Sequence, residues 1–170
     1  MATSVDTNVL SYLLLDSDKA LADAAEQALA NAAAEGIVAV CGPVFAELLA
    51  IGVWDATGLA AELSKSHIEV DDRFSRDAWV EAANAFAHYL DARRPAEYLC
   101  PTCGTRQRFR CRSCGSELGR PKHVLTDFLI GAHAKHFAYA LLTHDTGVYE
   151  SFFPQLRLLR LSPAAGAGQA

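Results

Sequence analysis

Short apolar runs alternate with longer stretches of helical periodicity along most of this chain, and no other feature restricts its fold as much. Ala2–Asp6, Ile37–Cys41, His67–Val70, Ala140–Thr143 and Leu156–Leu161 read as short strands. Thr7–Leu15, Lys19–Ala34, Val44–Gly52, Ala56–Ser64, Ser75–Leu90, Val124–Ala138 and Thr146–Phe152 read as helices, with breaks at Asp16–Asp18, Gly36 and Gly42-Pro43. Apolar strands linked through helices pair in parallel and are covered on both faces. The expected architecture is α/β, with three α/β/α layers around a mostly parallel sheet. At 170 residues the chain suits one such domain with room for a small insert. No apolar run reaches the roughly 18 residues of a membrane helix, and no secretory signal is visible. A soluble, cytoplasmic protein with no membrane partner is therefore expected.

The alternation breaks between Arg93 and Lys122. Eight of the 15 Lys and Arg residues lie there with only two acids, Glu97 and Glu117, so the segment carries about +6 on a chain of net charge −5. A basic patch on an acidic body can still bind a phosphate backbone. The same segment contains Cys100-Pro101-Thr102-Cys103-Gly104 and Cys111-Arg112-Ser113-Cys114-Gly115. In a cytosolic chain, paired C-x-x-C motifs point to metal before disulfide. Four thiolates make a closed tetrahedral Zn²⁺ site with no open position for catalysis. Metal binding would also supply folding energy that so small a segment lacks. Cys100, Cys103, Cys111 and Cys114 are thus expected to hold a structural Zn²⁺ in a zinc-ribbon insert spanning 96–120. The main domain would then comprise 1–95 and 121–161, followed by a disordered Ala/Gly-rich tail, 162–170. Arg106, Arg108, Arg110 and Arg112 alternate, and on a strand they would share one face with Phe109 on the other. That stripe reads either as an RNA-binding surface or as a solvated hairpin face.

Acids beside apolar segments need a partner, because a charge there must be hydrogen-bonded, paired or metal-bound. Asp6 follows the first strand, and Asp145 follows Ala140–Thr143. Glu47 lies in Val44-Phe45-Ala46-Glu47-Leu48-Leu49, and Asp127 in Val124-Leu125-Thr126-Asp127-Phe128. Open α/β sheets bind ligands outside the carboxyl ends of their strands, so Asp6 and Asp145 are expected to meet in one cleft. Asp127 and Glu47 would reach it from helix starts. Taken singly, each acid reads equally as a helix cap or a satisfied loop carboxylate. Taken together, clustered carboxylates repel unless a cation holds them, and hard oxygen ligands suit Mg²⁺ or Mn²⁺. The chemistry expected of such a site is phosphodiester hydrolysis.

Asp6-Thr7-Asn8-Val9-Leu10, Glu47, Asp127-Phe128-Leu129-Ile130-Gly131-Ala132-His133-Ala134 and Leu142-Thr143-His144-Asp145 resemble the PIN-domain nucleases. The nearest likeness is to the VapC-type toxins of bacterial toxin–antitoxin pairs, and Phe152–Arg157 extends it. By position, the resemblance implies that Asp6, Glu47, Asp127 and Asp145 form an acidic metal-binding quartet. It implies that Asn8 and Thr143 orient the ligands beside them. It also implies Mg²⁺- or Mn²⁺-dependent cleavage of RNA, a homodimer, and an antitoxin partner. The cysteine segment is similar to a compact zinc ribbon, a module that some ribosomal-RNA-processing nucleases join to a PIN domain.

The expected function is a metal-dependent endoribonuclease, the toxin of such a pair. Two other readings use the same residues. One is an RNA- or protein-binding module with a vestigial site; the other is a housekeeping RNA-processing nuclease. Cys41 reads as a small buried hydrophobe, His133 and His136 as surface or core residues, and His123 and His144 receive no role.

Overall fold

The computed structural model describes residues 2–15, 18–92, 98–115, 124–137 and 139–162. The expected junctions near 95/96 and 120/121 and nearly all of the expected tail lie outside these residues. In chain order the elements are β1 (Thr3–Val5), α1 (Thr7–Leu15), α2 (Lys19–Glu35), β2 (Val38–Cys41), α3 (Gly42–Ala50), α4 (Ala56–Lys65) and β3 (Ile68–Asp71). They continue with α5 (Arg76–Ala92), β4 (Tyr98–Leu99), β5 (Arg106–Gln107), α6 (Leu125–His136), β6 (Ala140–Thr143), α7 (Gly147–Phe152) and β7 (Leu158–Arg160).

Among the described residues, five strands form one sheet in the order β3-β2-β1-β6-β7. Each neighbouring pair is parallel. Val38–Cys41 and Ala140–Thr143 are buried at every position, as expected for strands covered on both faces. The chain runs outward from β1 to β3, then returns to the other side of β1 for β6 and β7. With right-handed crossovers, that reversal sends α5 and α6 to the face opposite α1 and α2.

Several boundaries follow from side chains. Asp18 caps α2 by accepting from Ala20 and Leu21 N–H, and Asp55 caps α4 by accepting from Gly58 N–H. Gly42-Pro43, expected to break the chain, instead opens α3. Proline fits a first helical turn, where its missing N–H has no partner to lose. Helix α6 is buried continuously from Phe128 to Ala134, so it belongs to the core rather than to an amphipathic surface. A Cβ at Gly131 would stand 2.6 Å from the Phe153 ring, so glycine lets α6 meet the segment after α7.

The cysteine segment forms a separate two-stranded antiparallel unit, with Tyr98 opposite Gln107 and Leu99 opposite Arg106. Strand β5 covers only Arg106–Gln107. Of the four alternating arginines, Arg106 lies on this strand and Arg110 makes an isolated bridge.

Candidate active site

The strand order reverses between β1 and β6, two paired parallel strands whose following helices leave to opposite faces of the sheet. This is where an α/β sheet offers a crevice. A cleft of about 480 Å³ opens at this point, lined by Asp6, Asn8, Tyr12, Asp127, His144, Asp145, Val148 and Tyr149. Three of the four expected acids share it. Asp6 arrives from the end of β1, Asp145 from just beyond β6, and Asp127 from the first turn of α6. Glu47, on α3, is not among its lining residues. It is linked to the site through Thr7, whose hydroxyl donates to Glu47 Oε2 beside Asp6.

Asp6 is the most enclosed of these acids, with 4% of its surface exposed. Its Oδ2 accepts from Thr143 Oγ1 at 2.6 Å, Asn8 Nδ2 at 2.8 Å and the Tyr149 hydroxyl at 3.2 Å. Burial pushes its carboxyl pKa up to about 6. The bonds from Thr143 and Tyr149 oppose the rise, and the charge of Asp127 adds to it. Burial, followed by the charges of Asp6 and Asp127, raises the Tyr149 phenol well above its ordinary range. Tyr149 therefore stays protonated and acts as a donor.

The surrounding bonds hold the loops that carry the acids. Asn8 Oδ1 accepts from His144 N–H at 3.1 Å, and Tyr12 O–H meets His144 Nδ1 at 3.0 Å. Both contacts fasten the turn after β6 to α1. Asp127 Oδ2 accepts from Val124 N–H at 2.8 Å, and Asp145 Oδ1 accepts from Gly147 N–H at 3.2 Å. Each acid thus spends part of its acceptor capacity on fixing its own turn.

Among the described residues, no three His, Cys, Asp or Glu side chains are drawn into a ready coordination shell. Mg²⁺ does not require one, because it keeps several waters and takes one or two carboxylates. The residues present fit such an ion. They are hard oxygen donors in an open cleft, and the most enclosed of them, Asp6, feels the negative charge of Asp127.

The two cysteine knuckles are alike. Gly104 N–H bonds Cys100 O at 2.8 Å, and Gly115 N–H bonds Cys111 O at 2.9 Å. Both glycines have positive φ, +70° and +73°. None of the four cysteines is in a disulfide, and the bond from Thr105 lowers the Cys103 pKa. Cys41 is fully buried, and burial pushes its thiol up to about 12. It is the inert core residue the sequence suggested.

A family model described as the PIN domain matches residues 4–151. The chain belongs to the PIN-domain family. Its fold is shared with solved structures of low sequence identity. VapBC2 from Rickettsia felis, bound to a DNA fragment from its promoter, aligns at 17% identity and TM-score 0.55, over 95% of this chain and 100% of that one. VapBC-1 from nontypeable Haemophilus influenzae aligns at 16% identity and TM-score 0.56, over 95% and 98%. FitAcB from Neisseria gonorrhoeae aligns at 16% and 0.50, over 94% and 97%. No curated protein matches the sequence. As in other PIN domains, the sheet is parallel and flanked by helices, with the acids at its carboxyl edge.

Tyr149, Tyr12 and Thr7 were missed by the sequence reading. Tyr149 sits in the apolar run Val148-Tyr149 and looks like core. The available signal was chemical: a tyrosine buried near an acid must find a partner for its O–H.

A second polar cluster was also missed. Asp71, at the end of β3, accepts from Arg73 Nε and Nη2 at 2.8 and 2.7 Å and from Tyr139 O–H at 2.9 Å. The Arg73 bonds hold its carboxyl well below the usual range. His133, fully buried beside it, has no hydrogen-bond partner on either ring nitrogen among the described residues.

Proposed function

We propose that this PIN domain is a Mg²⁺- or Mn²⁺-dependent endoribonuclease and the toxin of a toxin–antitoxin pair. The observation that carries the reading is the convergence of Asp6, Asp127 and Asp145 on one cleft at the sheet's switch point. Those three carboxylates would hold the ion, with Glu47 joining through the Thr7 contact. The bound ion supplies Lewis-acid polarisation of the phosphoryl oxygen and activates water at neutral pH. Asn8 and Thr143 hold the Asp6 carboxylate in one orientation. Tyr12 and Asn8 keep the Asp145 loop against α1 through His144. RNA is the proposed substrate. An antitoxin and a second copy of the chain are the proposed protein partners, the antitoxin on the strength of the fold shared with the VapBC structures.

The matched knuckles at Cys100–Gly104 and Cys111–Gly115 support a structural Zn²⁺ that would draw the four thiolates together. Arg106, Arg108, Arg110 and Arg112 would then line a basic surface for RNA. The test is cleavage of labelled single-stranded RNA with Mg²⁺ or Mn²⁺, alongside an EDTA control and Asp6→Asn. Metal-dependent cleavage lost in the variant is expected. RNA binding without cleavage by the wild-type protein would overturn the enzyme and leave a binding module.

A further inference from the structure

We propose that Tyr149 is a positioning residue, fixing the Asp6 carboxylate for metal binding and tying it to the segment that supplies Asp145. The proposal rests on the metal-site reading above. Tyr149 is 1% exposed, yet its hydroxyl partner is a carboxylate 143 positions away in sequence rather than a local carbonyl. Asn8 from α1, Thr143 from β6 and Tyr149 from α7 all donate to the same oxygen, Asp6 Oδ2. Together the three donors fix the rotation of the Asp6 carboxylate, whose oxygens would hold the ion.

Tyr149 adds something the other two do not. It lies four residues after Asp145, and Gly147 N–H bonds Asp145 Oδ1 at the start of α7. Helix α7 is itself anchored. Arg160 of β7 pairs with Glu150, and Phe153 packs against the bare face of Gly131 on α6. One anchored turn therefore carries Asp145 and grips Asp6. Removing the hydroxyl leaves the ring packed but frees that grip. Partners that orient metal ligands typically account for 10–100-fold in metal affinity.

The experiment titrates Mn²⁺ alone into the metal-free full chain without RNA, following free Mn²⁺ by electron paramagnetic resonance. Tyr149→Phe should bind Mn²⁺ about 10-fold more weakly than wild type. Its kcat on RNA should fall at limiting Mn²⁺ and recover at high Mn²⁺, with KM for RNA unchanged. Leu156→Ala, at a buried position outside the cleft, supplies a control of lowered stability and should bind Mn²⁺ like wild type. Wild-type Mn²⁺ affinity in Tyr149→Phe, or equal losses in both variants, would show a packing role only and overturn the proposal. A wild-type protein that neither binds Mn²⁺ nor cleaves RNA would instead overturn the metal-site reading, and this inference with it.

Discussion

Thr143 Oγ1 donates to Asp6 Oδ2 at 2.6 Å across 137 positions of sequence. The bond joins the carboxyl ends of β6 and β1, where the sheet changes direction. Residue Thr143 is fully buried, so its hydroxyl has no water to turn to, and the bond fixes both strand ends. It places the most enclosed acid of the site between two halves of the fold.

Asp6→Asn and Asp127→Asn should each abolish metal-dependent RNA cleavage while leaving a cooperative thermal transition. In Asp6→Asn the amide oxygen still accepts from Thr143, Asn8 and Tyr149, so the fold keeps its bonds and loses only the charge. Full activity in both variants would remove these residues from the site.

The metal-free protein should lose stability as pH rises through Asp6. Its folded pKa, about 6, lies above the ordinary 3.8. The contribution is fully present below 3.8 and is lost as pH climbs through 6, by on the order of 3 kcal/mol. Melting curves in EDTA from pH 3.5 to 8 should show this loss in wild type but not in Asp6→Asn. Mn²⁺ should restore it at pH 8, because a cation favours the ionised carboxylate.

Asp71 and His133 should behave in opposite ways although they are neighbours. Asp71→Ala removes the acceptor of Arg73 and Tyr139 and should cost about 2 kcal/mol. His133→Phe deletes two buried nitrogens that lack partners and should change stability by less than about 1 kcal/mol, or raise it. Burial lowers the His133 pKa below 6.5, so wild type loses stability as pH falls below 6.5. His133→Phe should remove that part of the acid loss. Urea titrations at pH 5.5 and 7.5 measure both effects.

Cys103→Ser should lose bound Zn²⁺, read by metal analysis of the purified protein, yet keep the carboxylate cleft and its Mn²⁺ binding. Among the described residues, the strands of the cysteine hairpin form a sheet of their own, apart from the five-stranded one. Global unfolding of the variant would place the hairpin in the core.

Gly131→Ala should destabilise by about 1–3 kcal/mol, because its new Cβ would meet the Phe153 ring at 2.6 Å. Calorimetry of the variant checks this. An unchanged melting temperature would mean that the α6 contact with Phe153 gives way freely.

Much of the frame was legible because strand and helix periods are local. The segment Ala140–Thr143 was read to the residue, and Lys19–Ala34 differs from α2 by one position. Asp6 and Asp145 were legible for a related reason: a carboxylate ending an apolar strand needs a partner. Asp71 carries the same signal at the end of β3 and was overlooked. Tyr149 carried no local mark, since its partner lies at the other end of the chain.

What the sequence determined by itself was the set of elements, the parallel sheet and the acids at its strand ends, all of which follow from neighbours within a few residues. Only the tertiary structure decided that Asp6, Asp127 and Asp145 share a cleft while Glu47 stands one contact away through Thr7. Only it joined Tyr149 to Asp6 and set His133 Nε2 3.6 Å from Asp71 Oδ2. Those outcomes depend on where the strand order reverses and on which helix faces the crossovers bring together, and no local pattern encodes either.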